Sequence, residues 1–225
     1  MWFWKQHILC LYMEKSLSMT IDYNIKIDVR KVNNEISKDI VRIIRKSVSK
    51  IQSSLDSKLE DIIFKRLVTG VPNISGRDYY EMGVPDINQR LQSIIRIASQ
   101  SFTIKVKVEN LLTINIGILE DDYSQLLSLP ESIFPYISAK GSGVLEWLRW
   151  ILIEGNQPIV RDFEFVATPS RFSRTGGGIM LRGGGWSVPP NLAGNVQDNI
   201  LTRSLQNIEK DIEILVNQEL QRIIK

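Results

Sequence analysis

Apolar residues recur along this chain at two distinct spacings. Over residues 21–29, Ile21, Tyr23, Ile25, Ile27 and Val29 take every second position, the period of a strand with one wet face. From residue 36 the steps become threes and fours. Ile36, Ile40, Ile43, Ile44, Val48, Ile51, Leu55, Leu59, Ile62, Ile63 and Leu67 trace one stripe down a helix of about eight turns. Asn33 or Asn34 supplies a cap at its start, and Gly70 with Pro72 ends it. Residues 71–86, with Pro72, Gly76, Gly83 and Pro85, read as a loop. A shorter helix follows, with Asp86 as its cap and Ile87, Leu91, Ile94, Ile95 and Ala98 on one face.

Two alternating runs then meet at Asn110. Phe102, Ile104, Val106 and Val108 form the first, and Leu112, Ile114, Ile116 and Ile118 the second, the pattern of an antiparallel hairpin. Residues 120–141 read as loop with a turn of helix, broken by Pro130 and Pro135. The segment GSGVLEWLRWILIEGN reads as a short helix between glycines, apolar on nearly every side through Val144, Leu145, Trp147, Leu148, Trp150, Ile151 and Leu152. Such a helix needs cover from more than one direction. That expectation places Trp147, Leu148, Trp150 and Ile151 at a subunit interface. PIVRDFEFVA reads as a strand with Val160, Phe163 and Phe165, or their neighbours, inward, and GIMLR as a short further strand. One long amphipathic helix closes the chain over residues 196–224, through Ile200, Leu201, Leu205, Ile208, Ile212, Leu215, Leu220 and Ile223. The class is α+β: a small antiparallel sheet packed with a long N-terminal and a long C-terminal helix, plus a Gly-rich hairpin insertion. No internal repeat is visible.

With 225 residues, 43% hydrophobic and 24% charged, the chain is long enough to bury a core. The coherent pattern starts only after Met19. Residues 1–18 are apolar and aromatic at first, too short to span a bilayer and without a charged leader or cleavage site. They are expected to be a non-native or disordered extension, with translation starting at Met13 or Met19 and a single domain over residues 19–225. The only Cys and the only His, Cys10 and His7, lie in this extension.

Without them the chain has no Cys–His or Ser–His–Asp nucleophile, no His acid–base group and no ordinary zinc site. It has no phosphate-binding GxxxxGK[ST] loop. Glu120, Asp121 and Asp122 cluster after a strand, a pattern that suits a solvated loop better than a carboxylate-only hydrolase. No cofactor is expected. The net charge of +3 is too small to imply nucleic-acid binding by bulk charge. The long helix does carry Lys38, Arg42, Arg45, Lys46, Lys50 and Lys58 opposite its apolar stripe, which leaves a basic-helix nucleic-acid-binding module as the alternative reading. That face has no aromatic residue to stack on bases.

The distinctive stretch is ATPSRFSRTGGGIMLRGGGWSVPPNLAGN. Between Glu164 and Asp198 there is no acid, yet Arg171, Arg174 and Arg182 are present, with two glycine triplets at residues 176–178 and 183–185. Neither triplet leads into a helix N-terminus, so neither is a phosphate cradle. The stretch reads as a hairpin on flexible hinges with a cationic surface, anchored by Trp186, Pro189 and Pro190 before the last helix. Its expected role is contact with a neighbouring subunit or with DNA.

GSGVLEWLRWILIEG, PIVRDFEFV and SRTGGGIMLRGGGWSVPPNLAGNVQDNILTRSL resemble the C-terminal half of neck, or tail-completion, proteins of tailed bacteriophages. The shared pattern is a short apolar helix, a strand, S-R-T-G-G, W-x-V-P-P, x-A-G, D-N and T-R-S-L. It is specific over residues 141–205. Ser75, Gly76 and Arg77 match a loop that precedes a short helix in the family's first half. The resemblance implies a non-enzymatic α+β virion protein, assembled in the host cytoplasm. It implies a homo-oligomeric ring at the head–tail junction that touches adjacent head-side or tail-side ring proteins, and transiently the genomic DNA, but no membrane. Arg171, Arg174, Arg182 and Trp186 would face a partner or DNA.

Overall fold

The computed structural model describes residues 11–15, 21–28, 34–108, 111–118, 123–138, 141–155 and 157–224. His7, Cys10, Val29, Asn33, Asn110 and the Glu120–Asp122 acids lie outside them. In chain order the elements are β1 (Leu11–Lys15), β2 (Ile21–Asp28), α1 (Asn34–Gly70), α2 (Gly76–Met82), α3 (Ile87–Gln100), β3 (Phe102–Val108) and β4 (Leu111–Ile118). There follow α4 (Ser124–Leu127), a 3-10 turn (Pro130–Ser132), β5 (Phe134–Ser138), β6 (Gly141–Leu145) and α5 (Trp147–Arg149), which runs on as a π-helical turn (Trp150–Glu154). The last elements are β7 (Val160–Val166), β8 (Ile179–Trp186), α6 (Ile200–Ser204) and α7 (Glu209–Ile224). The fold is α+β with small antiparallel sheets and long helices towards each end, as the apolar spacing predicts.

The chain divides into two compact units. The first comprises Met1–Ile63, Gln100–Leu119 and Asn207–Lys225. Its sheet has the order β1-β2-β4-β3, antiparallel throughout. The β3–β4 hairpin has the expected register, with Ile104 opposite Ile116, and Ile104, Ile114, Ile116 and Ile118 are buried on one face. Ile51, Leu55, Leu59 and Ile63 of α1, four residues apart, are at most 1% exposed. Ile212, Leu215, Val216 and Leu220 of α7 complete the buried set. Gln52 ties α1 to β3 by donating to the Ile104 carbonyl at 3.2 Å. Leu11–Lys15, inside the segment expected to be an extension, pairs with β2 as an edge strand.

The second unit comprises Phe64–Ser99 and Glu120–Gln206. Here the structure corrects three expectations. The stretch 71–86 is not all loop, because Gly76–Met82 is helical and is closed by Gly83 at φ 62°, whose N–H reaches the Tyr79 carbonyl. Residues 120–141 are not all loop either. Phe134–Ser138 pairs with Gly141–Leu145, so Val144 and Leu145 belong to a strand and the apolar helix begins only at Trp147. On β7 the register shifts between Arg161 and Phe163, with Asp162 at φ 63°. This bulge leaves Phe163 39% exposed rather than inward.

The last helix is also not continuous. It breaks over residues 205–208, where Asn207 takes a left-handed φ of 62°, a conformation Asn tolerates better than most residues. Leu205 and Ile208 stay buried through the break, so the apolar spacing carries no trace of it. The break falls where the chain passes from the second unit to the first.

Candidate functional site

The residues that carry the resemblance converge on Asn199. Its side-chain oxygen accepts from the Leu201 and Thr202 N–H groups, and Thr202 Oγ1 accepts from the Asn199 N–H at 2.9 Å, a reciprocal capping box for α6. The amide nitrogen donates to the Tyr123 hydroxyl at 2.8 Å, the Asn195 carbonyl at 3.0 Å and the Leu152 carbonyl at 3.3 Å. Tyr123 in turn donates to the Val196 carbonyl. Burial pushes the Tyr123 phenol above its ordinary range, with the Asn199 hydrogen bond opposing.

Around this centre the backbones pack closely. The Gly155 N–H donates to the Gly194 carbonyl. A Cβ at Gly194 would lie 2.6 Å from both the Asn199 Cβ and the Ile151 carbonyl oxygen. Arg203 donates to the Ala193 carbonyl at 3.0 Å and faces Asp198 at 3.6 Å. Ala-Gly, Asp-Asn and Thr-Arg-Ser-Leu therefore form a structural knot. Their side chains are spent on caps and carbonyls, which is scaffold chemistry and not the arrangement of a nucleophile and base.

Trp147, Leu148 and Ile151 are fully buried by their own chain, and the Trp147 indole donates to the Glu131 carbonyl at 2.9 Å. The expectation that this helix needs a second chain to cover it is corrected for these three residues. The 3-10 turn, through that Glu131 carbonyl, lies against the start of the helix. Only Trp150 is half-buried, and its ring meets that of Trp186 edge-on at 5.8 Å.

The glycine hairpin exists, but not on free hinges. Residues 183–185 lie within β8, opposite the β7 bulge, with Gly183 and Gly184 at φ 139° and 55°. In the first triplet, a Cβ at Gly177 would overlap the Tyr80 ring, and one at Gly178 the Phe165 ring. Gly is needed there because aromatic rings lie against the backbone. Strand pairing also ends the acid-free character seen along the sequence, since Arg182 pairs with Phe163, between Asp162 and Glu164. Arg171 and Arg182 are exposed, the former over the Phe172 ring at 4.9 Å. Arg174 turns back: its Nε donates to the Gly83 carbonyl at 2.8 Å and its guanidinium lies 5.4 Å from the centre of the Tyr136 ring. Trp186 is buried, not partner-facing.

These elements line an open cleft of about 450 Å³, which the apolar pattern of the sequence does not reveal. Trp150, Trp186, Phe165, Ile179, Met180 and Leu145 supply its apolar wall, and Arg174 its cation. The triplet at residues 176–178 was the one visible signal of it, read as flexibility when it marks close packing.

On α1, Lys38, Arg42, Arg45, Lys46 and Lys50 are exposed as expected, while Lys58 is paired with the buried Glu219. Hydrogen bonds from Lys58 and then Ser54 hold the Glu219 carboxyl below its ordinary range against the opposing effect of burial. Among the described residues no group of three or more His, Cys, Asp or Glu could hold a metal ion, and no helix is long and apolar enough to cross a membrane. No family model matches this chain, and no match is found among curated proteins or solved structures.

Proposed function

We propose that this protein is a non-enzymatic structural subunit of a tailed-bacteriophage particle, forming a homo-oligomeric ring at the head–tail junction and joining the DNA-filled head to the tail. The observation that carries the reading is the motif set over residues 141–205. The last members of that set, Ala-Gly, Asp-Asn and Thr-Arg-Ser-Leu, build the knot around Asn199, so this part of the resemblance rests on scaffold residues. The surface of the same unit supports an assembly role. On the β5–β6 hairpin, Pro135 pairs with Val144 and Ile137 with Ser142. All four are exposed, Ile137 at 92% and Val144 at 53%. A two-stranded ribbon with a bare apolar face is marginal alone and suits burial against a partner. In the ring, this face meets a neighbouring copy. Arg171 and Arg182 dock on the adjacent ring in preference to the DNA channel, where a sliding duplex requires weak contacts.

Electron microscopy of the purified protein, with its mass measured by light scattering, tests this. The expected result is a closed ring with an open centre. A protein that stays monomeric or dimeric at every concentration contradicts it.

A further inference from the structure

Trp186 and Arg174 both line the 450 Å³ cleft, and neither has a side-chain acceptor among the described residues. Trp186 is 6% exposed, and its indole N–H is buried with no hydrogen-bond partner among the described residues. Buried indole donors normally find one. Arg174 has its Nε on the Gly83 carbonyl and its guanidinium near the Tyr136 ring, and no carboxylate partner among the described residues. The Arg174 side chain is nevertheless exposed, so its outer nitrogens are open to solvent or to an anion in the cleft, with burial of the inner part lowering its pKa. Glu81, the one acid in the wall, is already paired with Arg77 at 2.5 Å. Of the four hydroxyls in the wall, Ser170 accepts from the Phe172 N–H and Ser173 from the Gly178 N–H, and Thr175 and Tyr80 complete the set. The cleft thus has one cation without a carboxylate partner, Arg174, beside an apolar wall that includes Trp150, Phe165, Ile179 and Met180. The volume falls within the usual range for small-ligand sites, about 300–1,000 Å³.

We infer that this cleft is a binding site for an apolar anion: a hydrophobic body that packs on the Trp150–Trp186 pair and carries a carboxylate or similar acceptor towards Arg174. Such a group arises in a free amphiphilic acid or in the C-terminal residue of a polypeptide, and the two sources share the chemistry. The glycines at residues 177 and 178 keep the site formed. They let Tyr80 and Phe165 lie flat against the loop that carries Arg174.

The test uses the full chain and two fluorescent probes of similar apolar body. These are the anionic 1-anilinonaphthalene-8-sulfonate and the neutral N-phenyl-1-naphthylamine. The expected result is one saturable sulfonate site per chain, bound about tenfold more tightly than the neutral probe, since a hydrogen bond to a charged group outweighs a neutral one by about that factor. Arg174→Met should erase the difference while leaving the melting temperature within a few degrees. Should that variant unfold, the two-probe comparison on the unaltered protein still decides. Competition with dodecanoate and with acetyl-Leu-Phe bearing a free carboxylate identifies the source. Displacement by the first points to an amphiphile, and by the second to a polypeptide terminus. Equal affinity for the two probes, no saturable site, a difference that survives Arg174→Met, or displacement by neither acid overturns the inference.

Discussion

Asn199 combines two jobs that a single small side chain seldom holds together. Its oxygen caps α6, and its nitrogen serves the Tyr123 hydroxyl and two carbonyls. Asn199→Ala removes the cap and leaves buried partners unmatched, a loss of about 2–4 kcal/mol. Asn199→Asp is the sharper probe. It keeps the cap but turns a donor into a buried charge facing two carbonyls, so denaturant melts at pH 7 should place it no higher than the alanine variant. It should recover towards acid pH as the carboxyl protonates and donates again. An aspartate variant as stable as the parent at pH 7 would contradict the hydrogen-bond assignment. Glu219 yields a prediction of opposite form. Its folded carboxyl binds a proton less readily than the unfolded one, so the Lys58–Glu219 pair stabilises at neutral pH. That contribution is lost as pH falls from the ordinary glutamate value of about 4.3 through the lowered one. Glu219→Gln should be less stable at pH 7, with the gap closing over that window in thermal melts. A gap that stays constant with pH excludes the linkage.

Elements differ in how far the sequence reveals them. The stripe from Ile36 to Leu67 repeats often enough to define α1 almost to its ends, and the alternation in β3 and β4 defines both strands and register. Where Pro135 sits beside Tyr136 and Gly141 and Gly143 precede Val144, alternation is too short to register. The β5–β6 hairpin is held instead by tertiary contacts, with Arg90 donating to the Ile133 carbonyl and lying 5.3 Å from the centre of the Phe134 ring. The motif residues near Asn199 were visible as a pattern, but their structural office was not, because capping and close backbone approach depend on partners far along the chain. The cleft was invisible for the same reason. At this scale the apolar face of β5–β6 makes a test. Ile137→Asp and Val144→Asp change exposed side chains and should alter stability by no more than about 0.5 kcal/mol. They should nevertheless shift the assembled protein towards monomer in sedimentation. Unchanged assembly would assign the intersubunit contact to another surface.

For the whole molecule, the proposal joins a scaffold built around Asn199, exposed hairpins suited to partners, and a motif set similar to that of neck proteins. Its two compact units divide these features. The first carries the sheet, the long helices and the exposed basic face of α1, and the second carries the motif knot, both two-stranded hairpins and the cleft. The ring itself needs no chemistry at a reacting centre, only surfaces that persist through assembly. The most direct measurement is to silence this gene in the phage that the proposal makes its source and to examine the lysate by electron microscopy. The account predicts DNA-filled or leaking heads and separate, complete tails, with joining restored when the protein is supplied from a plasmid. Normal joined particles without the protein, or a block before heads or tails form, would contradict it.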